Sequence, residues 1–168
     1  MTLSVALLAL VTLQRAGELV LARRNTLRLL ARGAIEYAPF HYRFIVLLHA
    51  AWLGGLWLWG AGQPIEAGWA VFYIALQVAR FWTIRALGER WTTRIIVVPG
   101  APPVRTGPFR FVDHPNYMIV AAEIAVLPLA LGMAGYAAIF SFLNAILLTI
   151  RIRAENRALS ELEPPLAV

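Results

Sequence analysis

The run HPNYMIVAAEIAVLPLALGMAGYAAIFSFLNAILLTIRIRAENRAL, His114 to Leu159, decides how this chain folds. Its two apolar segments, Tyr117–Leu131 and Tyr136–Ile150, are separated only by Gly132-Met133-Ala134-Gly135. Glycines so placed mark a tight connection, and the pattern predicts a hairpin of two short helices. Both outer ends of the hairpin are polar. His114, Asn116 and Tyr117 open the first arm, and Arg151, Arg153, Glu155 and Arg157 close the second. A hairpin returns its ends to one side, so these groups are expected to meet.

Outward from the hairpin, the rest of the chain is equally apolar. Of 168 residues, 60% are hydrophobic and 14% charged, which is the composition of a membrane protein rather than a soluble domain. Further spans are expected at Leu3–Ala22, Tyr42–Trp59 and Trp69–Leu87. With the hairpin arms this makes an all-α integral membrane protein of about five transmembrane helices. A single domain over 1–168 is expected, with N-terminal spans in 1–98 and the polar motifs and hairpin in 99–159. The first run lacks a basic start and a small-residue cleavage pattern, and it reads as a retained helix.

Arginine sets the orientation. The connector after the first span holds Arg23, Arg24, Arg28 and Arg32, and the one after the third holds Arg85, Arg90, Arg94, Arg105 and Arg110, whereas the other two connectors hold none. Positive loops stay cytoplasmic, so the N-terminus is expected outside and the C-terminus in the cytoplasm of a bacterial plasma membrane. There are no lysines among the 15 cations. All-arginine usage suits lipid headgroups and anionic ligands, and a compositional bias explains it equally well.

Six polar residues fall within the spans: Arg15, Glu18, Gln77, Arg80, Glu123 and Asn144. A charge at the bilayer centre costs roughly 2.5–3.5 kcal/mol on insertion scales, so partners inside the bundle are required. Arg15 and Glu18 can share a helix face. Glu123 can meet Arg80 or Arg15, and spacing alone does not choose between them. An interior ion pair that fixes packing is as good a reading as catalysis.

His114-Pro115-Asn116-Tyr117 has two readings. Pro115 fits the first turn of a helix, where its missing N–H costs nothing, so the motif serves as a helix start. His114 also suits a general base or a hydrogen-bonding loop. No metal is expected: cysteine is absent, and His41 and His49 have no ligand-like spacing. The sequence contains no nucleophile elbow, phosphate loop or dinucleotide fingerprint, and nothing points to nucleic acid as a partner. A histidine, an aromatic hydroxyl, a carboxylate and several guanidinium groups at the mouth of an apolar bundle suit a soluble zwitterionic cofactor meeting an oily substrate.

GPFRFVDHPNY, Gly107 to Tyr117, followed after two short spans by RIRAENRAL, Arg151 to Leu159, resembles the signature of the isoprenylcysteine carboxyl methyltransferase family. These are integral membrane enzymes that use S-adenosylmethionine. The likeness covers roughly Pro102 to Leu159. LQRAGEL and RRNTLRLLARGAIEYAPFHY, before and through Arg23 to Tyr42, resemble a bacterial branch of alkylpyrone and alkylresorcinol O-methyltransferases that act beside type III polyketide synthases. The resemblance implies O-methylation of a lipophilic acceptor drawn from among the membrane lipids, at the cytoplasmic face. It implies that Ala101, Pro102, Pro103 and Val104 lay their backbone along the cofactor and that Phe109 supplies an aromatic contact. His114, Pro115, Asn116, Tyr117 and Glu155 would line the cofactor pocket, and Arg151 would face the acceptor as the catalytic residue. Asp113 departs from an arginine and Asn156 from a second glutamate; the departures fit either a different acceptor, with compensation by the neighbouring Arg110 and Arg157, or a lower activity. Nicotinamide-dependent sterol reductases share a similar helix start, but there the tyrosine precedes Phe-Gly-Glu, and here Met118-Ile119-Val120 follows, with the acid only at Glu123. A small transporter or assembly subunit is the non-enzymatic alternative.

Overall fold

Helix α1, Leu3–Ala31, is tied down at both ends. At its start, Thr2 and Ser4 donate their hydroxyls to the Ala61 carbonyl at 3.0 and 3.1 Å. At its end, the buried Asn25 amide donates to the carbonyls of Gly88 and Trp91 at 3.2 and 2.9 Å. The helix continues past Ala22, the limit expected from hydropathy, because the arginine-rich residues that follow are good helix formers once outside the hydrocarbon. Gly33, at φ +85°, then reverses the chain. This computed structural model describes residues 2–162, apart from the side chains of Pro39, His41 and Leu162.

After α1 come β1 (Ile35–Tyr37), α2 (Pro39–Gly55), α3 (Ala67–Leu87), β2 (Ile95–Val97), α4 (Pro115–Ala130) and α5 (Ala134–Leu162). Helix α2 runs into a π-helical turn at Leu56–Gly60, and single 3₁₀ turns form at Gly88–Arg90 and Gly107–Arg110. The fold is all-helical as expected, with one addition that the sequence did not announce, a ribbon of two three-residue strands. They pair antiparallel, with Ile35 opposite Val97 and Tyr37 opposite Ile95. The run Ile95-Ile96-Val97-Val98 is β-branched throughout, which favours a pleated surface over a helix. Small residues Ala154 and Ala158 let α5 lie against Ile95 and Val97.

Helix α4 packs along α3 on one side and α5 on the other, and α2 leans on α5. Their shared core holds Leu8, Trp52, Leu56, Tyr73, Ile124, Leu127 and Leu131. Pro128 lies inside α4 and leaves the Ile124 carbonyl without its helical partner. The Trp52 indole N–H donates to that carbonyl at 3.2 Å. At the α2–α5 crossing, a Cβ on Gly55 would run into the Tyr136 ring. The Tyr136 hydroxyl in turn donates to the Trp52 carbonyl at 2.8 Å, next to the π-helical turn.

The outer surface is oily: Leu13, Val71 and Phe142 are each about two-thirds or more exposed. Such a surface needs lipid. The helices Leu3–Ala31, Tyr42–Gly60, Ala67–Arg90 and Ala134–Glu161 are long and apolar enough to cross a membrane. Helix α4 is not: at 16 residues it reaches about 24 Å, against about 30 Å of hydrocarbon. The hairpin turn forms as expected, with Gly132 at φ +69° and the Met133 amide bonded to the Pro128 carbonyl at 2.9 Å.

The intramembrane charges close on one another. Glu123 takes Arg15 at 2.9 Å and Arg80 at 3.0 Å, so both partners left open by spacing are used. Glu18 takes the same two, at 2.9 and 2.6 Å. Two guanidinium groups and two carboxylates thus form a neutral cluster joining α1, α3 and α4. Asn144 is buried in α5.

Candidate functional site

The site begins with a helix start whose histidine does something else. Pro115 is the first residue of α4, and the N-cap position is His114, which makes no side-chain capping bond. Its ring reaches across to α5, where Nε2 lies 3.2 Å from the Asn156 side-chain oxygen. The ring also stacks on Tyr117, with centroids 5.3 Å apart. The helix-start reading of the motif is correct for Pro115 and does not account for His114.

Tyr117 is the link between the hairpin's ends. Its hydroxyl donates to the Glu155 carboxylate and accepts from Arg151 Nε at 2.8 Å. The Arg151 guanidinium also sits 5.5 Å from the centre of the Tyr117 ring. Helical spacing explains how one segment supplies both charges: Arg151 and Glu155 are one turn apart, while Ala154 and Ala158 turn toward the sheet. His114, Tyr117, Arg151 and Glu155 are therefore brought together. Asn156 joins them as the partner of His114, a role its reading as a mere departure had missed.

Arg151 is only 8% exposed, and among the described residues no carboxylate pairs with it. Its Nε is spent on Tyr117, and the side chain borders a small cavity of about 10 Å³, room for one water. Glu36, Tyr37, Ala38 and Tyr42 from the N-terminal half, with Arg94, form the other walls. Arg94 is already neutralised by Glu36 at 2.8 Å and lies over the Tyr42 ring at 4.8 Å. Burial, then the Glu161 carboxylate, pushes the Tyr37 phenol above its ordinary value. Ala38 has φ +47°, the left-handed region that a residue with a Cβ occupies at a cost of roughly 1–2 kcal/mol.

The segment expected to carry the cofactor approaches from α3. Gly107, at φ +59°, sits so close to α3 that a Cβ would lie 2.9 Å from Ala86 Cβ, so only glycine lets the chain pass there. Upstream, Arg90 Nη1 holds the Pro102 carbonyl at 2.6 Å. Pro102 and Pro103 are exposed, and Ala101, Val104 and Phe109 are partly covered. No described side-chain hydrogen bond joins these five residues to the His114–Tyr117–Glu155 group. Asn116 adds a buried side-chain oxygen with no donor among the described residues. Asp113 pairs with Arg105 at 3.3 Å, and both partners are exposed.

Residues 69–161, more than half the chain, match the model of the isoprenylcysteine carboxyl methyltransferase (ICMT) family. The chain belongs to that family. It is similar to the uncharacterized protein YpbQ of Bacillus subtilis (strain 168), 38% identical over 92% of this chain and 95% of that one. An uncharacterized protein of Haemophilus influenzae is 28% identical over 89% and 91% of the two chains. No solved structure matches. ICMT membership and the apolar helices together indicate a membrane methyltransferase. The matched region contains every residue of the α4–α5 contact, whereas the walls from Glu36 to Tyr42 lie before it.

Proposed function

We propose that the protein moves a methyl group from S-adenosylmethionine to an ionised oxygen, a carboxylate or an acidic enol or phenol, on a lipophilic acceptor. The observation that carries this is the Arg151–Tyr117–Glu155 link between the start of α4 and the far end of α5. It puts a buried cation, unpaired by any carboxylate among the described residues, beside a carboxylate and a histidine at the end of an apolar bundle. In the proposed topology α4, though shorter than the hydrocarbon is thick, completes five spans where the bilayer thins around it, and this end faces the cytoplasm of the plasma membrane.

The residues present fit the cofactor. Asn116 offers a buried acceptor that no donor among the described residues reaches, which suits an amino or hydroxyl group of a nucleoside. Glu155 accepts from hydroxyl or ammonium groups, and the backbone of Ala101 to Val104, with Phe109, provides an edge along which the nucleoside lies. Pro115 fixes the helix start that aims His114, Asn116 and Tyr117. The cavity at Arg151 is far smaller than a nucleoside, so the cofactor would be held outside it, by the exposed Pro102 and Pro103 and their neighbours. When bound, the cofactor supplies an electrophilic methyl group. An acceptor oxygen that is already anionic needs no general base. Arg151 orients it with N–H groups that Tyr117 leaves free, and dry surroundings strengthen that contact. Holding both reactants at about 3–3.5 Å supplies most of the rate gain.

Calorimetry with S-adenosylhomocysteine on the purified protein tests the reading. Glu155→Ala and His114→Ala should each weaken binding by tenfold or more while the helical circular dichroism is retained. Unchanged affinity in both variants rejects it. Methylation of extracted lipids with labelled S-adenosylmethionine then identifies the acceptor; an alkylpyrone or alkylresorcinol product would tie the protein to a type III polyketide synthase pathway. No observation in the fold favours a nicotinamide-dependent reductase or a transporter.

A further inference from the structure

A second opening lies elsewhere in the molecule. In its middle, helix α1 is joined to α3 through long polar side chains, Glu18 to Arg80 and Gln14 to Gln77, while the two backbones stand apart. The gap is a cleft of about 450 Å³ that opens sideways, within the range of about 300–1,000 Å³ typical of small-molecule sites. Gly17, Leu21 and Phe81 form its apolar walls, and Gln14, Glu18 and Gln77 its polar floor. None of these residues takes part in the α4–α5 contact, and the inference does not depend on methyl transfer.

The floor's hydrogen bonding determines the ligand. Glu18 Oε1 accepts from Gln14 at 3.0 Å and Arg80 at 2.7 Å, and its Oε2 accepts from Arg15 at 2.9 Å and Arg80 at 2.6 Å. Gln14 Nε2 also donates to Gln77 Oε1 at 2.7 Å, and Gln77 donates to Glu123 at 2.8 Å. One strong acceptor is left over: no donor among the described residues reaches the side-chain oxygen of Gln14. At hydrocarbon depth such an oxygen is costly, because lipid tails offer it nothing. A ligand with an O–H satisfies it. An ion does not suit the cleft, because the charges beneath it already cancel and would not repay the ion's desolvation.

We propose that the α1–α3 cleft binds a neutral, hydroxyl-bearing amphiphile from the bilayer, its O–H donating to Gln14 and its chain lying between Gly17, Leu21 and Phe81. The test uses a photoactivatable long-chain alcohol with the full-length protein in phosphatidylcholine vesicles. Labelling should fall on peptides of α1 and α3 around Gln14–Leu21 and Gln77–Ile84, and excess unlabelled alcohol should compete. The methyl ether of the same chain, which cannot donate, should compete at least fivefold less well. A Cβ on Gly17 meets no atom within 4 Å, so Gly17→Leu and Gly17→Phe should fold and block the cleft, each lowering labelling at least fivefold. Undiminished labelling in both variants, or an ether that competes as well as the alcohol, overturns the proposal and leaves a groove for annular lipid.

Discussion

Tyr117 lies between two charges, and removing its hydroxyl separates two effects. Tyr117→Phe keeps the ring under Arg151 but leaves Glu155 without this donor and Arg151 Nε without its acceptor. Hydrogen bonds to charged groups are worth about 1.5–3 kcal/mol, so affinity for S-adenosylhomocysteine should drop by about tenfold or more in a calorimetric titration. Arg151→Gln should act differently. It should lower turnover of the lipid acceptor by about a hundredfold and change cofactor affinity much less; the opposite ranking would mean that Arg151 and Glu155 have exchanged roles. At this scale the sequence was most informative, because HPNY and RIRAEN are polar islands in an apolar chain and a hairpin must bring them together. Asn156 escaped notice because a family pattern measures what a residue replaces, whereas its bond to His114 depends on the rotation of α5 about its own axis.

Among the elements, α4 depends on a neighbour for its backbone. Pro128 frees the Ile124 carbonyl, and Trp52 satisfies it. Trp52→Phe strands that carbonyl in the core, and thermal unfolding in detergent should show a loss of about 1–3 kcal/mol beyond the change in packing. Pro128→Ala restores an N–H at that position, so Trp52→Phe should cost less in the Pro128→Ala background. Equal costs in the two backgrounds would show that the indole acts by packing alone. Apolar runs located all five helices, but their ends were less legible: α1 passes Ala22, and α4 stops short of a span's length. The β1–β2 ribbon was missed because three-residue strands carry almost no periodicity. Ile95 to Val98 did carry the β-branched signal, though nothing in sequence identified Ile35 to Tyr37 as its partner.

For the molecule as a whole, the cluster of Arg15, Glu18, Arg80 and Glu123 governs stability. Arg80 is the central member, with three nitrogens bonded to two carboxylates. Arg80→Met leaves both acids short of a partner away from water and should cost about 3–5 kcal/mol, measured as a fall in unfolding temperature and in yield of folded protein. Adding Glu123→Gln should recover part of that loss. The membership of this cluster was legible in the sequence, since charges within a span need partners; the pairing was not, since it depends on how three helices are turned toward one another. The cluster has an electrical consequence. Moving one unit charge through 100 mV involves about 2.3 kcal/mol, but two positive and two negative groups held together present the field with no net charge to move. A change in the voltage across the bilayer therefore does no net work on this cluster as a whole.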